Sequence, residues 1–254
     1  MKPIVIIPAR LESMRLPRKI LIDILGLPMI EHVRRRVLLS QNIEDVYIAT
    51  CDNEIKECVE KFGGKVIMTK KDHINGTSRV AEAVESIKCD KVILVQGDEP
   101  LLLPSQLDEL SLKIQDDNKH VAWNATSPIE NEEELNRHSF VKCSVINSQI
   151  LYCFRKSPSH NNFDLQKKYI RKILGLLAFR KNFLIKISKT KPGLIEQLES
   201  IEQLRVIENS YPLISIPFEK SQASINESED LAIVLKFLKN DKEQQEIFNK
   251  ILAL

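Results

Sequence analysis

Apolar and polar positions follow two different rhythms along the first half of the chain. Short apolar runs at residues 4–7, 46–50, 65–68 and 92–96 have the length and composition of buried strands. Between them, residues 28–39, 53–62 and 77–87 carry apolar side chains at helical spacing, and Pro28 is well placed at a helix start. Strands that alternate with helices are typical of a mostly parallel, doubly wound sheet with helices on both faces.

The second half has a less regular pattern. It predicts strands at residues 121–127, 141–146, 151–154 and 213–217, and helices at residues 194–206, 229–238 and 242–251. Residues 156–168 are polar and irregular. Because no repeat or low-complexity linker interrupts the chain, we expect one domain over residues 1–254, in which roughly residues 125–215 form a smaller appended lobe.

Composition narrows the class of protein. Hydrophobic residues make up 43% and charged residues 28% of the 254 positions, which is ordinary for a globular protein, and a formal charge of +2 does not favour a nucleic-acid surface. The five cysteines include no CxxC pair, so reduced thiols are expected rather than disulfides or a zinc site. Without an apolar run of about 18 residues or a signal peptide, the pattern predicts a cytoplasmic protein with no membrane span.

Polar segments follow three of the predicted strands, at residues 8–19, 69–77 and 96–100. In open α/β sheets ligands bind beyond the carboxyl ends of the strands, so these segments are expected to meet at one cleft. Residues 8–19 are cationic and contain no glycine, and Arg15 with Lys19 could neutralise a polyphosphate. A solvated basic loop is the alternative.

The other two segments could complete a nucleotide site. Asp98 ends an apolar strand, where a carboxylate can hold Mg²⁺ against phosphate oxygens. Asn75, Gly76 and Thr77 form a turn that could offer backbone and hydroxyl groups to a nucleotide, with Thr77 also capping the following helix. Each segment alone is equally compatible with a simple turn that binds nothing.

Taken together, the motifs resemble those of the 3-deoxy-manno-octulosonate (Kdo) cytidylyltransferases, also called CMP-Kdo synthetases. The matching stretches are IPAR-xx-S-x-RLP-x-K at residues 7–19, GLPMIEHV at 26–33, FGGKVIMT at 62–69, DHINGTSR at 72–79, VQGDEP at 95–100, LYCFR at 151–155 and IEQLRV at 201–206. The likeness extends to about residue 235 and is most specific in the first 100 residues.

The resemblance implies an α/β, Rossmann-like nucleotidyltransferase fold in a cytoplasmic, Mg²⁺-dependent enzyme that is usually a homodimer. Such enzymes join CTP to an acidic sugar, giving a CMP-sugar and pyrophosphate for surface polysaccharide assembly. Residues 125–215 would then form an acceptor-binding and dimerisation lobe.

The resemblance also implies catalytic, binding and metal-ligand roles for individual residues of this chain. Arg15, Lys19 and Asp98 would be catalytic. Nucleotide binding would fall to Pro8, Ala9, Arg10, Ser13, Arg15, Lys19, Asn75, Gly76, Thr77 and Arg79. Acceptor binding would fall to Gln96, Arg155, Glu202, Gln203, Ile173 and Leu177. The metal ligands would be Asp98 and Asn226.

The chain departs from the family at four places. Asn226 stands where the family motif VDTPEDL has an aspartate ligand, and Ile173 and Leu177 stand where HLGIYGYR has His and Tyr. Asn75 replaces a serine, and Arg18 replaces a glycine, which would add a cation beside the phosphate loop. A neutral amide binds Mg²⁺ less strongly than a carboxylate, and the loss of hydrogen-bonding groups can change selectivity by orders of magnitude.

Two readings of the departures stay open. The chain could be a working cytidylyltransferase tuned to a different acid acceptor, or a degenerate paralogue that binds nucleotide without turnover. The presence of Arg15, Lys19 and Asp98 favours the first. A dinucleotide oxidoreductase, from another class, is disfavoured because the chain contains no GxGxxG motif.

Overall fold

The computed structural model describes residues 1–13 and 16–254. The strands are β1 Ile4–Pro8, β2 Asp23–Ile24, β3 Leu27–Pro28, β4 Val46–Thr50, β5 Lys65–Met68, β6 Lys91–Val95, β7 Ala122–Pro128, β8 Lys142–Ile146, β9 Gln149–Phe154, β10 Ile170–Arg180 and β11 Leu213–Pro217. The helices are α1 Met29–Leu38, α2 Asn53–Lys61, α3 Gly76–Glu85, α4 Pro104–Asp116, α5 Glu132–Asn136, α6 Phe163–Gln166, α7 Lys181–Ser188, α8 Leu194–Glu199, α9 Leu204–Glu208, α10 Asp230–Asn240 and α11 Lys242–Leu252, with a 3-10 helix at Lys19–Leu21.

Within the described residues a nine-stranded sheet runs in the order β5-β4-β1-β6-β10-β7-β11-β9-β8. The first four strands are parallel, so the predicted α/β class and its parallel, helix-covered half are confirmed. The second half is mixed. β10 runs antiparallel to both β6 and β7, and β11 is parallel to β7 but antiparallel to β9.

Both faces of the sheet are buried, which explains why its central strands are continuous apolar runs. Val5 and Ile7 of β1 pack against α1, α2 and α4 on one face. Ile4 and Ile6 pack against α3 and α7 on the other face. Because side chains of a strand alternate between faces, every residue of β1 meets one apolar layer or the other.

Among the elements that differ from the sequence prediction, two bear on the site. β10 is an eleven-residue strand that the apolar pattern does not reveal, because Arg171, Lys172 and Gly175 interrupt it. The predicted helix at 194–206 is wrong as one element. α8 ends at Glu199, Ser200 takes a left-handed backbone with φ of 53°, and α9 begins at Leu204. Ile201 is buried in this break, and the turn that it anchors carries two of the predicted site residues.

The basic face of α1, with His32 and the neighbouring arginines, is buried rather than solvated. α11 covers this face: Arg35 donates to the carbonyl of Ile251 at 2.7 Å, and the His32 ring stacks on Phe248 at 5.4 Å. Burial lowers the pKa of His32 to about 4. The C-terminal helix α11 therefore docks onto the body of the protein. No helix in residues 1–13 and 16–254 combines the length and apolar character needed to cross a bilayer.

Candidate active site

Two adjoining cavities lie beyond the carboxyl ends of β1 and β6. The smaller, here the inner pocket, has a volume of about 250 Å³, and the larger, here the outer cleft, about 1100 Å³. The inner pocket is lined by Pro8, Ala9, Arg10, Glu12, Ser13, Lys19, Ile20, His73, Asn75, Gly76, Arg79, Gln96, Gly97 and Asp98. The cavities share the residues Arg10, Asn75, Gly76, Gln96 and Asp98. Of the residues predicted to bind nucleotide, Thr77 does not line the inner pocket, and Arg15 lies outside the described residues.

Lys19 and Asp98 join three separate segments at the floor of the inner pocket. Lys19 Nζ donates to Asp98 Oδ2 at 2.6 Å and to the carbonyl of Ile225 at 3.1 Å. The N–H of Ile225 donates in turn to the carbonyl of Asp98 at 3.0 Å. A cation and a carboxylate that are distant in sequence are thus held side by side, partly exposed to the pocket.

The start of α3 forms the wall of the inner pocket. Asn75 has extended backbone and its Oδ1 accepts the N–H of Ser78 at 2.9 Å, so Asn75 caps the helix. The prediction of Thr77 as the cap is wrong because Thr77 already lies inside the helix. Its N–H donates to Glu202 Oε2 at 3.0 Å, while its buried hydroxyl finds no partner among the described residues. Arg79 is buried and donates to Thr69 Oγ1 at 2.6 Å.

The residues predicted to bind an acceptor line the outer cleft. Gln96 Nε2 donates to Glu202 Oε1 at 3.0 Å, and Gln203 Nε2 donates to the buried Asn124 Oδ1 at 3.0 Å. The guanidinium of Arg155 donates to the carbonyls of Glu199 and Ser200, at the break between α8 and α9. Ile173 and Leu177 of β10 supply an apolar part of the same wall. The structure thus brings this predicted set together in space, although its members come from four distant segments.

Glu99 belongs to the outer cleft and was not singled out from the sequence. Its carboxylate lies against Gly175, where β10 bulges away from β7, and a Cβ at Gly175 would come within 2.5 Å of Glu99 Oε1. Burial, reinforced by the negative charge of Asp98, raises the pKa of Glu99 to about 8. The sequence feature that could have identified Glu99 is its position directly after Asp98 in the motif GDEP.

Two ion pairs on the outer cleft were also missed by sequence reasoning. Lys172 Nζ lies 2.5 Å from Glu134 Oε1, and Arg137 Nη2 lies 3.0 Å from Asp230 Oδ1. Lys172 and Glu134 are 38 positions apart in the sequence, and Arg137 and Asp230 are 93 positions apart. No local sequence pattern could therefore have revealed either pair.

Asn226 lies on the outer cleft, directly after the residue that bonds to Lys19 and Asp98. Its Nδ2 donates to Ser224 Oγ at 3.0 Å, and its N–H donates to Asp230 Oδ2 at 2.9 Å. Within the described ranges, no three His, Cys, Asp or Glu side chains form a metal-binding group.

Arg18 does not add a cation to either cavity, which corrects the sequence expectation. Its guanidinium bonds to Glu54 on the exposed surface, and it does not line the inner pocket or the outer cleft. Arg18 has a left-handed backbone with φ of 60°, a conformation that costs a non-glycine residue roughly 1–2 kcal/mol. That geometry explains why a glycine would suit the position.

Several known proteins are similar in sequence to most of this chain. The model of the family described as "Cytidylyltransferase" matches residues 4–221. The 3-deoxy-manno-octulosonate cytidylyltransferase of Escherichia coli is 36% identical over 81% of this chain and 83% of that protein. The 3-deoxy-manno-octulosonate cytidylyltransferase 2 of Actinobacillus pleuropneumoniae serotype 5b (strain L20) is also 36% identical, over 94% of this chain and 100% of that protein.

A solved structure extends the likeness to three dimensions. The structure of CMP:2-keto-3-deoxy-manno-octonic acid synthetase complexed with CTP superposes with a TM-score of 0.86 at 32% identity, covering 94% of this chain and 98% of that one. The inositol-1-phosphate CTP transferase from T. maritima, at 13% identity and a TM-score of 0.65, shares the fold. With most of its length matched by the family model and by these relatives, the chain belongs to the cytidylyltransferase family of nucleotidyltransferases.

Proposed function

We propose that this enzyme transfers CMP from CTP to Kdo, or to a closely related 3-deoxy acid sugar, and releases pyrophosphate. The observation that carries the proposal is the shared border of the two cavities at Arg10, Gln96 and Asp98. A nucleotide in the inner pocket and a sugar in the outer cleft would meet at that border. The relatives that match over most of this chain are named for the same reaction.

The inner pocket suits a nucleoside triphosphate. Lys19 would face the phosphates, together with Arg15, and Arg79 with Asn75 and Gly76 at the start of α3 would hold the base and ribose. Backbone groups around Pro8, Ala9 and Arg10, with Ser13, complete this wall. Nucleotidyl transfer needs positioning and charge stabilisation more than covalent help from the protein, and a lysine beside the departing pyrophosphate supplies such charge.

The residues around Asp98 fit Mg²⁺. Mg²⁺ commonly takes one or two protein oxygens and completes its shell with phosphates and water, which matches one carboxylate at Asp98 and one amide oxygen at Asn226. Glu99 lies beside Asp98, and burial, reinforced by the negative charge of Asp98, raises its pKa. When bound, the ion would neutralise phosphate charge as a Lewis acid.

In the proposed reaction the anomeric hydroxyl of the sugar attacks the α-phosphorus of CTP. The new oxygen–phosphorus bond forms as the bond to the bridging oxygen breaks, and pyrophosphate leaves with the electron pair. Gln96, Glu202, Gln203 and Arg155 would orient the sugar for in-line attack. Ile173 and Leu177 would contact a less polar part of the acceptor, so an acid sugar with fewer hydroxyls there is the second candidate substrate.

The product distinguishes these possibilities. Incubation of the protein with CTP, Mg²⁺ and Kdo should give equal amounts of pyrophosphate and a CMP-sugar, measured by phosphorus NMR and mass spectrometry. A product with another acid sugar but not with Kdo would support the second candidate. Thermal stabilisation by CTP with no product from any acid sugar would contradict the proposed catalytic activity. It would instead support a non-catalytic nucleotide-binding protein.

Asn226→Asp is expected to lower the Mg²⁺ concentration that gives half-maximal turnover. A carboxylate at this position would add a full negative charge beside Asp98, and hard divalent cations bind carboxylates more tightly than amides. The check is a Mg²⁺ titration of initial rates for both proteins, with Asn209→Asp, at the C-terminal end of α9 and outside both cavities, as the control. An unchanged Mg²⁺ midpoint would show that residue 226 does not contact the ion.

We also propose that the enzyme is a cytoplasmic homodimer that serves surface polysaccharide assembly. Support for association comes from the lobe, where α8 leaves Leu194 and Leu198 exposed by 70% and 76%. Light scattering should give twice the mass of one chain. A single-chain mass at micromolar concentration would contradict the dimer.

A further inference from the structure

One ion pair on the outer cleft joins the end of α5 to the start of α10. Arg137 directly follows α5 in the lobe, and Asp230 begins α10. Their side chains meet at 3.0 Å between Nη2 and Oδ1. The side chain of Asp230 is only 7% exposed and that of Arg137 is 34% exposed, so the carboxylate is largely withdrawn from solvent.

The second oxygen of Asp230 holds a turn. Oδ2 accepts the backbone N–H groups of Asn226 and Glu227, each at 2.9 Å. One carboxylate therefore bonds a guanidinium on one side and two consecutive amides on the other. Both sets of bonds involve a charged acceptor, which makes them stronger than bonds between neutral groups.

The turn continues into the floor of the inner pocket. Ile225 precedes Asn226, and its carbonyl and N–H bond to Lys19 and to Asp98. A continuous series of contacts thus runs from Arg137 through Asp230 and residues 225–227 to the Lys19 and Asp98 pair. Every step is a hydrogen bond of 3.1 Å or less.

Arg137 is itself held in place by its neighbours. Nε donates to Ser139 Oγ at 3.1 Å, and the guanidinium carbon lies 4.7 Å from the centre of the Phe140 ring. Lys172 Nζ lies over the same ring at 4.9 Å. A planar guanidinium can make the ring contact and both hydrogen bonds at once, which a lysine ammonium cannot reproduce.

We propose that Arg137 is a positioning residue for the transfer reaction. By holding Asp230 it keeps residues 225–227 against Lys19 and Asp98. A residue of the outer cleft thereby fixes the positions of Lys19 and Asp98 at the floor of the inner pocket. The structural half of this proposal concerns the protein without ligands. The catalytic half rests on the proposed function.

The structural half is tested by hydrogen exchange on the full-length, metal-free protein. Arg137→Gln should speed exchange of the amides of Asn226 and Glu227 by about tenfold or more, because their acceptor is no longer fixed. Asp230→Asn should do the same, and the double variant should add little, since both changes break one series of contacts. Arg137→Lys should restore protection in part. Arg180→Gln, which removes an arginine bonded to the carbonyl of His120 away from both cavities, is the matched control.

The catalytic half is tested by turnover and by Mg²⁺ binding. Arg137→Gln should lower kcat by about tenfold and raise the Mg²⁺ midpoint, measured by calorimetry as well as by rate, while Arg180→Gln changes neither. Unchanged amide exchange at Asn226 and Glu227 would overturn the whole proposal. Faster exchange with an unaltered kcat and Mg²⁺ midpoint would overturn its catalytic half. If the parent protein makes no CMP-sugar, the proposed function fails, while the exchange result still decides the structural half.

Discussion

Replacing Lys19 with alanine is expected to lower kcat/KM for pyrophosphate release by about 10²- to 10³-fold, the loss seen when one preorganised charge-stabilising group is removed. Two effects add together. The ammonium that would face the departing pyrophosphate is lost, and Asp98 loses the cation that now lies 2.6 Å from its carboxylate. The uncompensated carboxylate would then repel the triphosphate in the absence of bound Mg²⁺.

Initial rates in a coupled pyrophosphate assay give this result directly. Lys113→Ala is the matched control, because Lys113 makes only an exposed i,i+4 pair with Glu109, and such pairs contribute little. A Lys19→Ala protein within about threefold of the parent rate would show that the floor of the inner pocket does not hold the phosphates.

Glu196→Ala is expected to lower the free energy of unfolding by about 3–5 kcal/mol, because it leaves a buried guanidinium without its partner. Arg205 donates to Glu196 from Nε at 2.8 Å and from Nη2 at 2.7 Å, and both side chains are at most 6% exposed. The pair closes the break between α8 and α9, so the loss should also loosen the turn that carries Glu202 and Gln203. KM for the acceptor is therefore expected to rise.

Thermal unfolding measures the first effect, with an expected fall in Tm of roughly 6–20 °C for a domain of this size. Glu109→Ala, at the exposed pair with Lys113, should shift Tm by no more than a degree or two. Replacing both partners with apolar residues, Glu196→Leu with Arg205→Met, should recover part of the loss since no unpaired charge remains. A fall of less than 2 °C in Glu196→Ala would mean that the pair does not hold the turn.

The parallel half of the fold could be predicted because its central strands are buried on both faces and its helices are amphipathic. β1 and β6 show this in their unbroken apolar runs. The same logic predicted the inner pocket, since residues that directly follow neighbouring parallel strands must meet at one edge of the sheet. Lys19 and Asp98 are 79 positions apart and bond as this reasoning requires.

The outer cleft was less accessible to sequence reasoning because it depends on contacts between distant segments. β10 joins the sheet between β6 and β7 through antiparallel pairing, and no local pattern encodes that partner. The break at Ser200 depends on the buried pair between Glu196 and Arg205 and on the burial of Ile201. The charged arginines of α1 would suggest a solvated helix, yet Arg34 bonds Glu31 and Arg35 bonds the distant α11.

The structure shows where the residues that depart from the family pattern lie relative to the two cavities. Asn226 belongs to a turn fixed by Asp230, next to the residue that bonds Lys19 and Asp98, so a change of charge there acts close to that pair. Ile173 and Leu177 lie on the outer cleft, so in the proposed reaction their effect would fall on the acceptor. The nucleotide and the acceptor can therefore be tested separately.

The central claim is tested most directly by pyrophosphate release from each of the four nucleoside triphosphates, with Mg²⁺, in the presence and absence of Kdo and of a set of other acid sugars. We expect release with CTP alone among the nucleotides, and only when an acid sugar is present. Release without an acceptor, release with ATP, GTP or UTP at a comparable rate, or no release from any combination would contradict the claim.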